Sequence, residues 1–246
     1  MFKDRHGQRI VTNFTPGGEK LAIIAHGMAG HMEQPFIVAL KEAFIKKGYS
    51  VLRYDAPNNF GQSDGTLENL TITGHIQALE DVIAWAKPQP WYTEPFALAG
   101  HSIGALAVFE YAAHHPNKIE GIIALSPNLA GTLRLEAYKK HTPRAIERFE
   151  SRGYLNIKDP ETGQHGRLMK AYLDDFLTHD VRPLAPNLTM PVTIITGAAD
   201  TITEPAPIKD FYTTLPQPDG LHIVVGADHV WSGESLKNLG KRLNSR

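Results

Sequence analysis

A serine hydroxyl is a weak nucleophile until an imidazole takes its proton and a carboxylate holds that imidazole in place. This chain carries the three residue types in a suggestive pattern. Gly100-His101-Ser102-Ile103-Gly104 has the form Gly-x-Ser-x-Gly. An apolar run, Phe96 to Ala99, enters it, and a helical pattern through Leu106, Val108, Phe109 and Tyr111 leaves it. In a strand–turn–helix setting the serine sits on a sharp turn that lifts its hydroxyl clear of the sheet. The two glycines remove Cβ atoms that would strike the neighbouring strand and helix. Farther along, Gly197-Ala198-Ala199-Asp200 and Gly226-Ala227-Asp228-His229 each close an apolar run. The order serine, aspartate, histidine accompanies this type of turn.

Rival residues weigh against each assignment. Of twelve histidines, His229 stands out by directly following a strand end, whereas His222 lies inside a strand. Asp200 competes with Asp174, Asp175, Asp180 and Asp228; the first three fall in a charged helical stretch, and Asp228 adjoins His229 too closely to turn back on its ring. Asp55 also ends a strand, yet the turn-rich loop after it gives it a pinning role. Ser63, in Gly61-Gln62-Ser63-Asp64-Gly65, lacks a following apolar helix and reads as a turn residue. At His26-Gly27-Met28 the His26 side chain reads as a buried hydrogen-bonding group. The backbone N–H of Met28 can pair with that of Ile103 to hold an oxyanion.

These residues must be positioned by a sheet. Continuous apolar runs at Leu21–Ala25, Ser50–Asp55, Phe96–Ala99, Ile119–Leu125, Val192–Thr196 and Leu221–Val225 read as strands, and Arg9–Phe14 as an edge strand. Helical patterns alternate with them, which implies right-handed crossovers and a parallel sheet covered on both faces. Ligands of such sheets bind outside the carboxyl ends of the strands, where Met28, Ser102, Asp200 and His229 all fall. The alternation breaks at 128–186, a charged, helical stretch without convincing strands. The expected organisation is a core of residues 1–127 and 187–246 with a helical cap at 128–186.

Composition narrows the function. A net charge of -1 over 246 residues leaves no basic footprint for nucleic acid. No apolar run reaches membrane-spanning length, and the polar N-terminus lacks a signal-peptide core. With no cysteine there is no thiolate site, which fits a cytoplasmic location. No metal or cofactor is implied, and the partner expected is a small-molecule ester; oligomeric state is not legible.

At these motifs the sequence resembles the α/β-hydrolase superfamily, and within it the small bacterial serine esterases that include feruloyl and cinnamoyl esterases. The resemblance implies a mostly parallel sheet of about eight strands flanked by helices. It implies Ser102 as nucleophile, His229 as base, Asp200 as acid, and Met28 and Ile103 as oxyanion donors. Ile103 replaces the polar residue, often Gln, that many such esterases carry after the serine, and Pro57-Asn58-Asn59-Phe60 departs from the commoner glycine-rich loop. The cap matches least; His26, Phe149, Tyr154, Tyr172 and Trp231 are candidates to wall the pocket. The expected activity is hydrolysis of small soluble esters through an acyl-enzyme. Peptidase, thioesterase and carbon–carbon hydrolase chemistry would use the same triad, and a binding protein on this scaffold is the non-catalytic alternative. Dehalogenases and epoxide hydrolases are disfavoured, because they carry an aspartate where this chain has Ser102.

Overall fold

The computed structural model describes residues 1–159 and 162–244. Ten strands form: β1 (Phe2–Lys3), β2 (Arg9–Thr15), β3 (Lys20–Ala25), β4 (Tyr49–Asp55), β5 (Phe96–His101), β6 (Ile119–Leu125), β7 (Tyr154–Lys158), β8 (His165–Met169), β9 (Val192–Gly197) and β10 (Pro218–Val224). Eight belong to one sheet in the order β1-β2-β4-β3-β5-β6-β9-β10. β1 and β2 pair antiparallel with each other, β2 pairs antiparallel with β4, and the strands from β4 to β10 run parallel. This is the α/β-hydrolase fold. β2 is not the sheet edge, because β1 adds a further short strand beyond it.

Alternate residues of each strand feed two cores. On β3, Leu21, Ile23 and Ala25 join one apolar cluster, while Ala22 and Ile24 join the other. The first core packs under helices α2 (Ile72–Ala86) and α3 (Ile103–His114); the second lies beneath α1 (Pro35–Lys46) and α8 (Gly233–Asn244). Central parallel strands need such two-sided cover, which is why their sequences read as unbroken apolar runs. The remaining helix of the core, α7 (Pro205–Thr213), links β9 to β10.

Between β6 and β9 the chain leaves the sheet. It forms α4 (Gly131–His141), α5 (Pro143–Arg152), the β7–β8 hairpin and α6 (Lys170–Phe176). The two ends of this excursion are laced together. Ala130 and Asp180 form an isolated bridge, Val181 N–H donates to Leu129 O at 2.9 Å, and Gly131 N–H to His179 O at 3.0 Å. The expectation of a purely helical insertion is corrected here by the antiparallel hairpin. Its strands bury mainly Leu155 and Leu168, too few apolar positions for a period-two signal. The hairpin lies against the core: a Cβ at Gly166 would meet Leu67 Cβ at 3.0 Å. α6 is tied down by Asp175, which accepts from the backbone N–H and hydroxyl of Thr73 on α2 at 2.9 and 2.7 Å.

Candidate active site

Ser102 is the single residue between β5 and α3, and its backbone adopts φ 56°, ψ -119°. Few non-glycine residues occupy that region. Its neighbours make the turn possible by close approach. A Cβ on Gly100 would lie 2.5 Å from Gly104 O, and one on Gly104 would lie 2.3 Å from His26 O. The serine is also braced by its own N–H, which donates to Leu125 O at 3.0 Å.

Around its hydroxyl three strand ends converge. Ser102 Oγ lies 3.0 Å from His229 Nε2, and His229 Nδ1 lies 2.9 Å from Asp200 Oδ2. Residues 127 positions apart thus come within hydrogen-bond distance. Asp200 is buried and accepts from four donors: the N–H groups of Ile202 and Thr203 at 2.9 and 2.8 Å, the Thr203 hydroxyl at 2.7 Å, and His229. Burial alone would raise its pKa. The hydrogen bond and charge of His229 with the Thr203 donors outweigh that and hold the carboxyl well below the usual carboxylate range.

Two further residues, which the sequence reading missed, touch these three side chains. Asn128 Nδ2 donates to Ser102 Oγ at 2.9 Å, and the Asn128 N–H donates to Ser102 O at 3.1 Å. Asn128 follows the end of β6, so the rule that singled out the other strand ends reaches it as well. Thr203 completes an Asx-type turn from Asp200; an aspartate followed three residues later by threonine is its only sequence signal. Behind His229, His101 Nε2 donates to the backbone carbonyl of that residue at 2.9 Å. Burial, with the adjacent His229 second, pushes the His101 pKa down to about 3, so this ring is a neutral strut.

The turn after β3 lies against Ser102: a Cβ on Gly27 would come 3.1 Å from Ser102 Cβ. Met28, next in the chain, borders the cavity over Ser102. Ile103 is the first residue of α3, where a helix leaves its N–H without an intrahelical acceptor. The departing loop after β4 holds this turn: Asn59 Oδ1 accepts from Ala29 N–H at 2.8 Å. Asp55 pins both loops, accepting from Met32 N–H at 2.7 Å and Gln62 N–H at 2.8 Å. Ser63 is a turn residue, its hydroxyl donating to Asp55 O at 2.5 Å.

Of the five residues expected around the pocket, only Tyr172 borders the cavity of about 180 Å³ at Ser102. His26 is buried beneath it, with Nδ1 donating to Gly27 O at 2.7 Å and Nε2 accepting from Ala56 N–H at 2.9 Å. Phe149 packs edge-on against Tyr138 in the core. Tyr154 lies on the hairpin under Arg167. Trp231 is fully buried and donates from Nε1 to Ser126 Oγ at 3.1 Å. Large rings were expected at the pocket from residue type, but packing claimed most of them.

Comparison with known proteins agrees with this architecture. Est1E from Butyrivibrio proteoclasticus, solved with ferulic acid bound, superposes with a TM-score of 0.81 at 27% identity, covering 99% of this chain and 96% of that one. The monoacylglycerol lipase of Paleococcus ferrophilus shares the fold, with a TM-score of 0.68 and 22% identity over 96% of this chain and 99% of the other. Monoacylglycerol lipase ABHD6 from Homo sapiens is 24% identical over 112 residues, 46% of this chain; the match spans 32% of that relative's length. No helix among the described residues is long and apolar enough to cross a membrane. The family model described as serine aminopeptidase, S33, matches residues 18–180, most of the chain with Ser102 among them, and the chain therefore belongs to that family, Hydrolase_4.

Proposed function

We propose that the protein is a serine hydrolase of carboxylic esters of small soluble acids, with Ser102 as nucleophile, His229 as base and Asp200 as the orienting acid. The observation that carries the reading is the unbroken run from Ser102 Oγ to His229 Nε2 and from His229 Nδ1 to Asp200, at 3.0 and 2.9 Å. His229 Nε2 takes the hydroxyl proton as Ser102 Oγ attacks the ester carbonyl. Asp200 keeps the other ring nitrogen protonated and balances the imidazolium. The N–H groups of Met28 and Ile103 receive the negative oxygen of the tetrahedral intermediate. His229 then returns the proton to the departing alcohol, and water, activated by the same imidazole, frees the acid from Ser102. The likeness to Est1E supports an aryl or short acyl acid. The absence of cysteine fits work in a reducing cytoplasm.

The test is fluorophosphonate labelling together with turnover of p-nitrophenyl esters from acetate to palmitate and of methyl ferulate. Labelling at Ser102, short-acyl or aryl preference, and loss of about a million-fold in kcat in Ser102→Ala are expected. Undiminished turnover by Ser102→Ala would end this reading. A second reading, amide cleavage at an amino terminus, is favoured by the family's description. A buried carboxylate, Asp159, borders the same cavity as Ser102. Aminoacyl p-nitroanilides, run beside the esters, decide between the two.

A further inference from the structure

Two arginines are buried among the described residues, Arg53 and Arg134. Arg53 is met by Met32 O at 2.6 Å and by Glu33 at 3.2 Å. Arg134, on α4, forms no ion pair with a carboxylate among the described residues; its guanidinium carbon lies 3.8 Å over the Tyr138 ring. The exposed Arg5, Arg9, Arg167 and Arg182 all have carboxylate partners. A largely buried guanidinium that meets an aromatic face and, among the described residues, no carboxylate has N–H donors left to offer an anion, since burial of a charge is costly unless the charge is matched.

Arg134 borders the cavity at Ser102 and also a larger one of about 700 Å³ beneath α4, α5 and β7. Met28, Ile157 and Ile202 border both, so the two spaces adjoin across an apolar neck. Among the described residues the larger space is lined by Arg134, Arg144, Arg148 and His141, and by no aspartate or glutamate. Neither Arg144 nor Arg148 pairs with a carboxylate among the described residues, while His141 pairs with Glu204 at 2.7 Å. Asp159, the carboxylate at the smaller cavity, accepts from the Thr162 hydroxyl at 2.8 Å, and His31 Nε2 lies 3.5 Å from it.

We propose that this arginine-lined compartment under the cap binds a carboxylate carried by the substrate itself, separated by an apolar spacer from the ester cleaved at Ser102. The inference rests on the serine-esterase reading and narrows its substrates to acid-bearing esters. Arg134, largely buried and held over the Tyr138 ring, supplies the fork that grips a carboxylate with two parallel N–H bonds. Arg144 and Arg148, at the solvent side, attract the anion and are screened by salt.

Matched pairs of esters test it, followed by pH-stat: monomethyl glutarate, adipate and suberate against methyl pentanoate, hexanoate and octanoate. A second arm, acetylated ω-hydroxyhexanoate against hexyl acetate, places the carboxylate on the leaving-group side; preference in either arm supports the proposal and says which side carries the charge. The anionic member should be favoured in kcat/KM by about tenfold or more. That preference should vanish in Arg134→Gln and narrow in the doubly substituted R144Q/R148Q protein, which retains the buried arginine and guards against a folding defect in the first. Equal or better turnover of the neutral member in every pair, or an anion preference that survives in both variants, would overturn the proposal while leaving the esterase reading intact. Calorimetric titration of the Ser102→Ala protein with monomethyl adipate reads binding without turnover. Saturable binding, weakened by Arg134→Gln, supports the compartment even if no ester is cleaved; its absence overturns it. Failure of the esterase reading shows instead as no turnover of any ester and no fluorophosphonate label on Ser102.

Discussion

Asp200 and Asp228 stand near the same histidine, but their hydrogen bonds separate them. Asp200 Oδ2 faces His229 Nδ1, whereas Asp228 Oδ1 accepts from the N–H groups of Val230 and Trp231, both at 3.2 Å, and serves the turn. Asp200→Asn should therefore lower kcat by about ten-thousand-fold, since the amide presents the wrong partner to the ring. Asp228→Asn should stay within about threefold of the parent, because an amide oxygen can still accept those N–H groups. Steady-state kinetics of the two variants on one ester checks this, and the reverse order would exchange their roles. Asn128 makes a subtler difference. Its Nδ2 donates to Ser102 Oγ, which under the proposed role of Ser102 would favour the developing alkoxide, so Asn128→Ala should slow fluorophosphonate labelling by about tenfold. An unchanged rate would reduce Asn128 to a brace for the backbone. That Ser102, Asp200 and His229 meet was legible in the sequence because each ends a strand that reads clearly. Asn128 and Thr203 were not singled out, since a lone asparagine or threonine after a strand has no pattern of its own. The pocket aromatics failed for another reason: residue type says that a ring will be buried, not which cavity it will face.

The strands of the parallel sheet were legible as elements because two-sided burial leaves unbroken apolar runs, as at Leu21–Ala25 and Ile119–Leu125. β10 begins earlier than its apolar run, at Pro218, where the register shifts against β9 between Pro218 and Gly220. The β7–β8 hairpin escaped because its strands are only half covered, with Leu155 and Leu168 facing in and charged residues facing out. The cap also depends on a contact that no periodicity reveals. Gly131 opens α4 so close to the end of α6 that a Cβ would sit 2.1 Å from Phe176 O and 2.6 Å from Leu177 N. Backbone cannot yield there as a flexible side chain would. Gly131→Ala should thus push α4 outward, cost about 1–3 kcal/mol and raise KM more than it lowers kcat, because α4 carries Arg134 rather than the triad. Gly240→Ala is the counterpart: it lies in α8 with nothing within 4 Å of its added Cβ. That change should stabilise by about 0.5–1 kcal/mol. Denaturant unfolding of both variants, with kinetics for the first, tests the pair; a Gly131→Ala protein as stable as its parent would show that the α4–α6 contact gives way freely.

Three histidines are sealed inside the whole molecule as neutral rings, and together they set how it meets acid. His26 uses both nitrogens, one as donor and one as acceptor, so a second proton would break the bond from Ala56 N–H. His75 donates from Nε2 to His26 O at 2.9 Å and His101 donates to His229 O, while the Nδ1 of each is buried without a partner among the described residues. Burial is the main cause that pushes His75 and His101 down to about 3 and lowers His26 as well. The rings of His26 and His75 are 5.5 Å apart, so a proton on one opposes a proton on the other. In the unfolded chain each ring titrates near the reference value of 6.5, and below that pH the unfolded state binds more protons than the folded one. Stability contributed by the neutral rings is therefore complete above about pH 6.5 and is lost as pH falls toward the folded values. His75 and His101 each contribute a slope of about 1.4 kcal/mol per pH unit once fully engaged, about 3 kcal/mol together, and His26 acts in the same direction. Asp200, whose folded value is depressed, adds to the loss below about pH 5, where the unfolded carboxyl begins to protonate. Unfolding free energy from urea titrations should be flat from pH 8.5 to 7.5 and then fall with increasing steepness to pH 5. His75→Gln, whose amide can still donate to His26 O, should remove about one proton's worth of that slope even if it lowers stability at pH 8. A slope that stays near zero between pH 6.5 and 5 would mean that these rings take up protons in the folded protein, and that the interior around β3, β5 and α2 admits charge more readily than its burial implies.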